Sequence, residues 1–360
     1  MSHRGPFGNA ETLAPLHGSL VSVLPELQEL ERVIGRGGRH LEVVTGCSEP
    51  FGVDGQTLPV YSITFGNPTA DVPAVGFFGG VHGLERIGSR VVIAFLDALV
   101  MRLRWDASLH QLLESVRLVF MPIVNPGGML RGTRANPRGV DLMRNAPVEA
   151  AERVPFLVGG QRLSAGLPWY RGRRGGPMES ESIALCGTVQ REMLGRPFSL
   201  ALDFHSGFGM RDRIWFPYAH TRRPLPDLAY LHAMHEIFVQ SNNHHPYMFE
   251  PQGRQYLTHG DLWDHLYADG RTRPGSVFLP LTVEMGSWLW VKKNPRQLFS
   301  RLGIFNPLIA HREQRVLRRH LPLLDFSIRA TAAFDRWAPR NTAQAEHDQQ
   351  GRALWYETLP

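Results

Sequence analysis

The 360-residue chain contains little lysine and cysteine, and it has no long apolar run. Lysine occurs only at positions 292 and 293. Cys47 and Cys186 are too few for a disulfide framework and lack the paired spacing of a zinc ribbon, so we expect both to be buried as small apolar residues. No apolar stretch approaches the roughly 20 residues that cross a bilayer. The first residues lack the basic and apolar regions of a secretory signal. These absences favour a soluble, cytoplasmic protein without membrane contact.

The excess of positive charge, +6 at neutral pH, comes almost wholly from arginine. Such an excess is one indication of an anionic partner such as nucleic acid. The arginines are, however, scattered along the chain, and their densest group, YRGRRGG at 170–176, is glycine-rich and typical of a surface loop. We therefore do not expect nucleic-acid binding.

Short apolar runs rich in β-branched residues alternate with segments of helical period, which predicts strands and helices in alternation. The predicted strands are 41–46, 59–65, 74–79, 116–124, 199–204, 213–218 and 277–283. The predicted helices are 86–103, 179–194, 226–240 and one or two within 306–337. Alternation of this kind indicates an α/β fold with a mixed, largely parallel central sheet covered by helices on both faces.

The chain divides by composition into three parts. We predict an N-terminal helical segment over 1–40, a catalytic domain over 41–338 and a polar, partly disordered C-terminal tail over 339–360. Within the domain, residues 125–178 are rich in glycine, proline and arginine and are interpreted as long functional loops.

Metal-binding side chains stand where two of the predicted strands end. The run FFGG at 77–80 is followed by His82 and Glu85, and the run LALDF at 200–204 is followed by His205. In open α/β sheets ligands bind beyond the carboxyl ends of the strands. Two histidines and one carboxylate are the protein ligands of a catalytic zinc site that leaves a fourth position for water. The sequence therefore predicts a single Zn²⁺ held by His82, Glu85 and His205.

An acid and several arginines complete this set. Glu284 ends the apolar run VFLPLTV, where a carboxylate is expected only if it faces a site. The loop after the strand at 116–124 carries four arginines, which are suited to hold a carboxylate or to stabilise an oxyanion. These arginines are Arg131, Arg134, Arg138 and Arg144.

In this order the motifs resemble those of the M14 zinc carboxypeptidases. The matching segments are HGLE (82–85), NPGG (125–128), TR (133–134), GVDLMRN (139–145), FHS (204–206) and VEM (283–285). The resemblance covers residues 40–310 or so and implies the carboxypeptidase fold together with zinc-dependent hydrolysis of a peptide or amide bond next to a carboxylate-bearing residue.

The resemblance also implies individual roles. His82, Glu85 and His205 would bind zinc, and Glu284 would be the general base that activates the zinc-bound water. Arg134 would polarise the scissile carbonyl and stabilise the oxyanion. The substrate itself would be contacted by four residues, Arg134, Met143, Arg144 and Tyr256. Arg144 would bind the substrate's carboxylate, and Tyr256 would cover the bound substrate.

Three departures from the family's pattern leave the substrate open. Met143 replaces the usual asparagine and can donate no hydrogen bond, Gly127 replaces an aspartate, and Leu84 replaces an arginine found in digestive members. The loop around residues 131–142 is similar to that of the bacterial murein-peptide amidases. The HGxE motif is shared with the succinylglutamate desuccinylase and aspartoacylase branch. An N-acyl amino acid deacylase and a non-catalytic peptide-binding descendant are therefore alternatives, and the oligomeric state stays undetermined.

Other polar residues near these motifs are given no metal role. His232 and His235, three apart on a predicted helix, are interpreted as polar surface or supporting residues. Asp203 is expected to point away from His205, on the opposite side of its strand, and so to be a poor ligand.

Overall fold

A computed structural model describes residues 24–50, 55–207, 209–245 and 247–357. Eight strands form one sheet. The strands are β1 (Glu42–Cys47), β2 (Pro59–Gly66), β3 (Ala74–Gly79), β4 (Arg117–Met121), β5 (Phe198–Ser206), β6 (Arg213–Phe216), β7 (Met248–Pro251) and β8 (Val277–Met285). Their order across the sheet is β1-β2-β4-β3-β5-β8-β6-β7.

The four central strands β4, β3, β5 and β8 are parallel to one another. The outer pairs of β1 with β2, β2 with β4 and β6 with β8 are antiparallel, whereas β7 is parallel to β6. The predicted mixed α/β sheet is thus confirmed, and its parallel part lies at the centre.

Eleven helices are found in the described ranges. They are α1 (Pro25–Gly37), α2 (Arg86–Arg102), α3 (Ala107–Leu113), α4 (Pro126–Arg131), α5 (Ser180–Glu192), α6 (Leu228–Ser241), α7 (Leu262–Gly270), α8 (Trp288–Lys293), α9 (Ala310–Ala332), α10 (Phe334–Trp337) and α11 (Thr342–Arg352). None of the helices within these ranges is long and apolar enough to span a bilayer.

The apolar strands bury both faces of the sheet, as the near-continuous hydrophobic runs predicted. Phe77 packs edge-on against Phe95 of α2, and its neighbour Phe78 packs edge-on against Trp263 of α7 on the other face. Successive side chains of a strand point to opposite faces, so β3 joins two apolar layers. The strand is buried throughout, and both layers hold the strand ends in place.

Several predicted boundaries shift. The strand predicted over 116–124 ends at Met121 because Pro122 cannot donate a ladder hydrogen bond. The short strand β7 and helix α7 were not predicted. Cys186 is buried as expected, whereas Cys47 is exposed, because it lies on the edge strand β1.

The predicted polar tail is largely helical. Residues 342–352 form α11, and a π-helical turn follows over Ala353–Glu357. Gly351 lies against Leu228 of α6, close enough that a Cβ there would approach its side chain within 3.0 Å. Trp355 is buried as well. The segment therefore has one face that packs on the rest of the protein, although its composition is mostly polar. Only residues 358–360 of the predicted tail lie outside the described ranges. Of the predicted N-terminal helical segment, residues 25–37 are helical, and residues 1–23 lie outside the described ranges.

Candidate active site

The chain reverses its direction of travel across the sheet next to β3. From β3 it crosses to β4 on one side, and from β4 it returns to β5 on the other. The loops that leave the carboxyl ends of β3 and β5 therefore diverge and leave a crevice, which is the usual position for a ligand in an open α/β sheet. His82 and Glu85 follow β3, and His205 lies at the end of β5.

The turn that carries His82 and Glu85 is packed tightly against the neighbouring loop. A Cβ on Gly83 would lie 2.1 Å from the backbone of Gly128, so only glycine allows this approach. Asn125 strengthens the contact because its side chain caps α4 by accepting from Gly128 N at 2.8 Å and donates to Val81 O at 3.2 Å. The motifs at 82–85 and 125–128 thus form one rigid unit.

The three predicted metal ligands meet in the crevice. His205 Nδ1 lies 3.1 Å from His82 Nδ1 and 3.1 Å from Glu85 Oε2, and His82 Nδ1 lies 2.9 Å from Glu85 Oε1. All three residues are buried, with exposures of 2 to 4%. Two imidazole nitrogens and a carboxylate that converge in this way form a donor set suited to a divalent metal ion.

A carboxylate lies behind each of the two imidazoles. His82 Nε2 is 3.2 Å from Asp141 Oδ1, and His205 Nε2 is 2.7 Å from Asp203 Oδ2. Such partners fix the ring orientation and leave the opposite nitrogen to face the metal. The expected direction of Asp203 was wrong: residues two apart on a strand share a face, so Asp203 supports His205 directly.

Charge in the crevice is strongly coupled. Burial raises the pKa of Glu85, but His82 and His205 outweigh it and hold that pKa below its usual value. Burial has the same effect on Asp141, yet Arg134 and His82 hold its pKa well below normal. Both carboxylates are therefore ionised at neutral pH. Burial lowers the pKa of His205, but Asp203 and Glu85 raise it overall, so a metal ion binding there must displace a proton.

Arg134 lies beside this cluster. Its Nε donates to Asp141 Oδ2 at 2.8 Å, and its Nη1 donates to Glu85 Oε1 at 3.4 Å. Burial lowers the pKa of Arg134, but Asp141, Glu85 and Tyr256 outweigh it and raise that pKa overall, so the guanidinium stays charged. Arg131 is the last residue of α4, and Arg138 follows Arg134 in the loop, where it pairs with Glu49 and Glu179 instead.

Glu284 shares the face of His205. The two residues are partners in the parallel register of β5 and β8, so their side chains leave the same side of the sheet. Glu284 is buried to 7% exposure. The end of β8, which carries Glu284, therefore lies next to the end of β5, which carries His205.

The remaining predicted substrate residues differ in their surroundings. Arg144 is only 2% exposed, and within the described residues it forms no ion pair; it donates to the carbonyl oxygens of Met143 at 3.2 Å and Val158 at 3.4 Å. Met143 belongs to the apolar layer under α7. Tyr256 is half-buried, and its ring lies edge-on to Trp215 with centroids 6.2 Å apart.

Asp141 and Asp203 are the supporting residues that sequence reasoning missed. Asp203 could have been found, since the two-residue period places it beside His205. Asp141 lies within the quoted segment GVDLMRN, but α4 and an irregular loop separate it from β4, so no periodicity indicates where its side chain points. Arg171, from the cluster at 170–176 that was interpreted as a surface loop, is also buried, and it donates two hydrogen bonds to Glu149.

The fold and this donor set define a candidate metal-binding group at the switch point of an α/β sheet. The zinc carboxypeptidase family model, M14, matches residues 52–274. Because that match covers more than half of the chain, the chain belongs to this metallopeptidase family. His82, Glu85, Arg134 and His205 lie within the matched range, whereas Glu284 lies beyond it.

Individual relatives are distant. The chain is 33% identical to carboxypeptidase E of Caenorhabditis elegans over 171 residues, which is 43% of this chain and 35% of that protein. It is 22% identical to carboxypeptidase D of Anas platyrhynchos over 49% of this chain and 11% of that protein. The chain thus spans about a third or less of the length of these curated relatives.

Solved structures show the same fold. Thrombin-activatable fibrinolysis inhibitor superposes with a TM-score of 0.60 at 18% identity, over 84% of this chain and 72% of that one. A carboxypeptidase A-like protein from Shewanella denitrificans superposes with a TM-score of 0.52 at 14% identity, over 86% and 68% of the two chains. At these identities the comparison concerns the fold alone.

Proposed function

We propose that this protein is a zinc-dependent hydrolase that cleaves a peptide or amide bond next to a carboxylate-bearing residue. The observation that carries the proposal is the convergence of His82, Glu85 and His205, with a carboxylate behind each imidazole. Family membership supports it, since residues 52–274 match zinc carboxypeptidases.

Zinc fits the donor set. Each histidine offers Nδ1 while its Nε2 contacts a carboxylate, which is the arrangement common at protein zinc sites. Glu85 adds a third ligand from the same turn as His82. When bound, zinc would act as a Lewis acid and would lower the pKa of a coordinated water to about 7.

The residues around the cluster can carry the proton and the developing charge. Glu284, on the face of His205, would accept the proton of the attacking water and then deliver it to the leaving nitrogen. Arg134 would donate to the carbonyl oxygen as negative charge develops on it. Its guanidinium is already oriented by Asp141.

Arg144 would bind the substrate carboxylate. Arg144 is a buried guanidinium that forms no direct ion pair in the described ranges. The carboxyls of Asp141 and Asp261 interact with it only electrostatically, so its donors are suited to a substrate carboxylate. Met143 cannot assist as an asparagine would, because its side chain lies in the apolar layer. We infer a substrate whose carboxylate is held chiefly by Arg144, with Tyr256 covering the bound residue.

The first experiment measures zinc content and turnover on the same purified sample. The substrate panel contains peptides with a free C-terminal carboxylate, murein peptides and N-acyl amino acids, so that exopeptidase, amidase and deacylase activities are separated. We expect hydrolysis that a chelator abolishes and added Zn²⁺ restores.

His205→Ala provides the control for the metal. It should lose zinc from the crevice and lose turnover together. Full turnover of this variant, or a metal-free wild-type protein that hydrolyses nothing in the panel, would refute the proposal, and the latter result would favour a peptide-binding role.

A further inference from the structure

A second group of two histidines and one glutamate lies where α6 meets α11. His232 and Glu236 are one helical turn apart on α6, so they share a face, and His347 faces them from α11. This group lies outside the crevice described above. Its third member, His347, is also outside the part of the chain that matches the family model.

The donor atoms of this outer cluster also converge, although less closely than those of the crevice. His232 Nδ1 and His347 Nδ1 are 2.9 Å apart, and His347 Nδ1 is 3.6 Å from Glu236 Oε2. Ligand atoms of the three residues all lie within 4.8 Å of one another. With zinc–ligand bonds near 2.0 to 2.2 Å, two ligands of a tetrahedral ion are separated by about 3.4 Å. The two separations in the outer cluster, 2.9 and 3.6 Å, lie just below and just above that value, so small side-chain shifts would bring the ligands to it.

His232 is the most buried member of the cluster, with 5% exposure, and its contact with His347 Nδ1 fixes the position of its ring. His235, on the same helix, is not part of the set: its ring packs on Phe249 and Trp355.

The geometry points to a second divalent-metal site, formed by His232, Glu236 and His347, which takes Zn²⁺ or a similar borderline ion and fastens α11 to α6. Imidazole and carboxylate are donors that suit such ions. The side chains of Glu236 and His347 are 43% and 22% exposed, so water has access to complete the coordination. The site is structural: within the described residues no general base like Glu284 is paired with it.

This ion would cross-link two residues 115 positions apart. α11 packs directly on α6, where Gly351 lies against Leu228 and His232, and the π-helical turn after α11 brings the ring of Trp355 to 5.7 Å from that of His232. Gly351 is the one buried residue of α11 itself, so a metal cross-link would strengthen a contact in which this helix buries little apolar area.

Equilibrium dialysis of the full chain against Zn²⁺ tests the site. We expect two zinc ions per wild-type chain and one in either His347→Ala or His205→Ala. The double variant should bind none. The matched controls His311→Ala and Glu346→Gln, an exposed histidine and an exposed glutamate outside the cluster, should keep two.

Turnover and thermal unfolding separate this proposal from the proposed function. His347→Ala should retain wild-type turnover, and Zn²⁺ should raise the Tm of His205→Ala but not of the double variant. A wild-type chain that binds one ion, lost with His205→Ala, would overturn the proposal and would leave the two histidines as a hydrogen-bonded pair. A His347→Ala variant that still binds two ions would also overturn it.

Discussion

Two clusters of the same composition, one in the crevice and one between α6 and α11, differ in what surrounds them. In each, two histidines present Nδ1 atoms about as far apart, 3.1 Å in the crevice and 2.9 Å in the outer cluster. Each Nε2 in the crevice contacts a carboxylate, Asp141 or Asp203. In the described ranges, no carboxylate contacts the Nε2 of either His232 or His347.

The difference shows that the ligands alone do not decide what such a site does. The crevice lies at the carboxyl ends of parallel strands, where the neighbouring strand contributes Glu284 and the adjacent loop contributes Arg134. The outer cluster is formed by two helices, which supply ligands but no reacting groups. One arrangement is suited to catalysis and the other to holding two helices together.

The largest effect we predict is the loss of turnover when Glu284, the proposed general base of the crevice, is replaced. This change should leave the outer cluster unaffected. Glu284→Gln should reduce turnover by about 10² to 10⁴-fold, because an amide cannot accept the proton of water. Zinc content should be unchanged at both clusters. The control Glu250→Gln alters another buried glutamate, which bonds Arg213 and Trp215 on β6, and should retain turnover. Near-normal rates for Glu284→Gln would mean that the base lies elsewhere.

Removing a supporting carboxylate should weaken zinc binding in the crevice alone. Asp203→Asn keeps the shape but not the charge behind His205, so we expect zinc affinity there to fall by about 10 to 100-fold. Competition with a fluorescent chelator measures the change. Asp227→Asn, at a buried aspartate bonded to Tyr267, is the control. If Asp203→Asn left the affinity unchanged, the comparison between the two clusters would lose its physical basis.

A graded chelator titration should empty the two clusters in order. Among the described residues no carboxylate supports the histidines of the outer cluster, which is also partly exposed, so we expect it to bind zinc about 10 to 100-fold more weakly. The first ion should therefore leave without loss of turnover, and turnover should fall with the second. Simultaneous loss of turnover with the first ion would reverse the predicted order.

The smallest effect concerns stability. At a free zinc concentration about 100 times its dissociation constant, one ion that binds only the folded chain contributes about 2.7 kcal/mol. His347→Ala should lose this increment in zinc and change the free energy of unfolding little without it. Glu346→Gln serves as the comparison, and denaturant unfolding with and without Zn²⁺ provides the measurement. A large loss of stability in the absence of zinc would assign His347 a packing role instead.

Much of the crevice could be predicted because its signals are local. Apolar runs identified β3, β5 and β8, and the residues that follow them, His82, His205 and Glu284, belong to one sheet edge whenever the strands are parallel. The resemblance added Arg134 and Arg144. Residues whose partners lie on loops, such as Asp141, could not be placed because no periodicity describes a loop.

The outer cluster could not be predicted for a related reason. His232 and Glu236 lie four apart on one helix, which the sequence does reveal, but one pair on a surface is common without any ligand. The third member comes from a segment interpreted as a polar tail. Only the packing of α11 on α6 brings His347 to them.

The sequence by itself determined the central parallel strands, the side chains at their carboxyl ends and the family, because strand period and motif order are properties of neighbouring residues. The tertiary structure alone decided that Asp141 supports His82, that the C-terminal residues fold back as a helix, and that a second cluster forms there. Those contacts join residues far apart in the chain, and their energies depend on burial and on distances that no local pattern encodes.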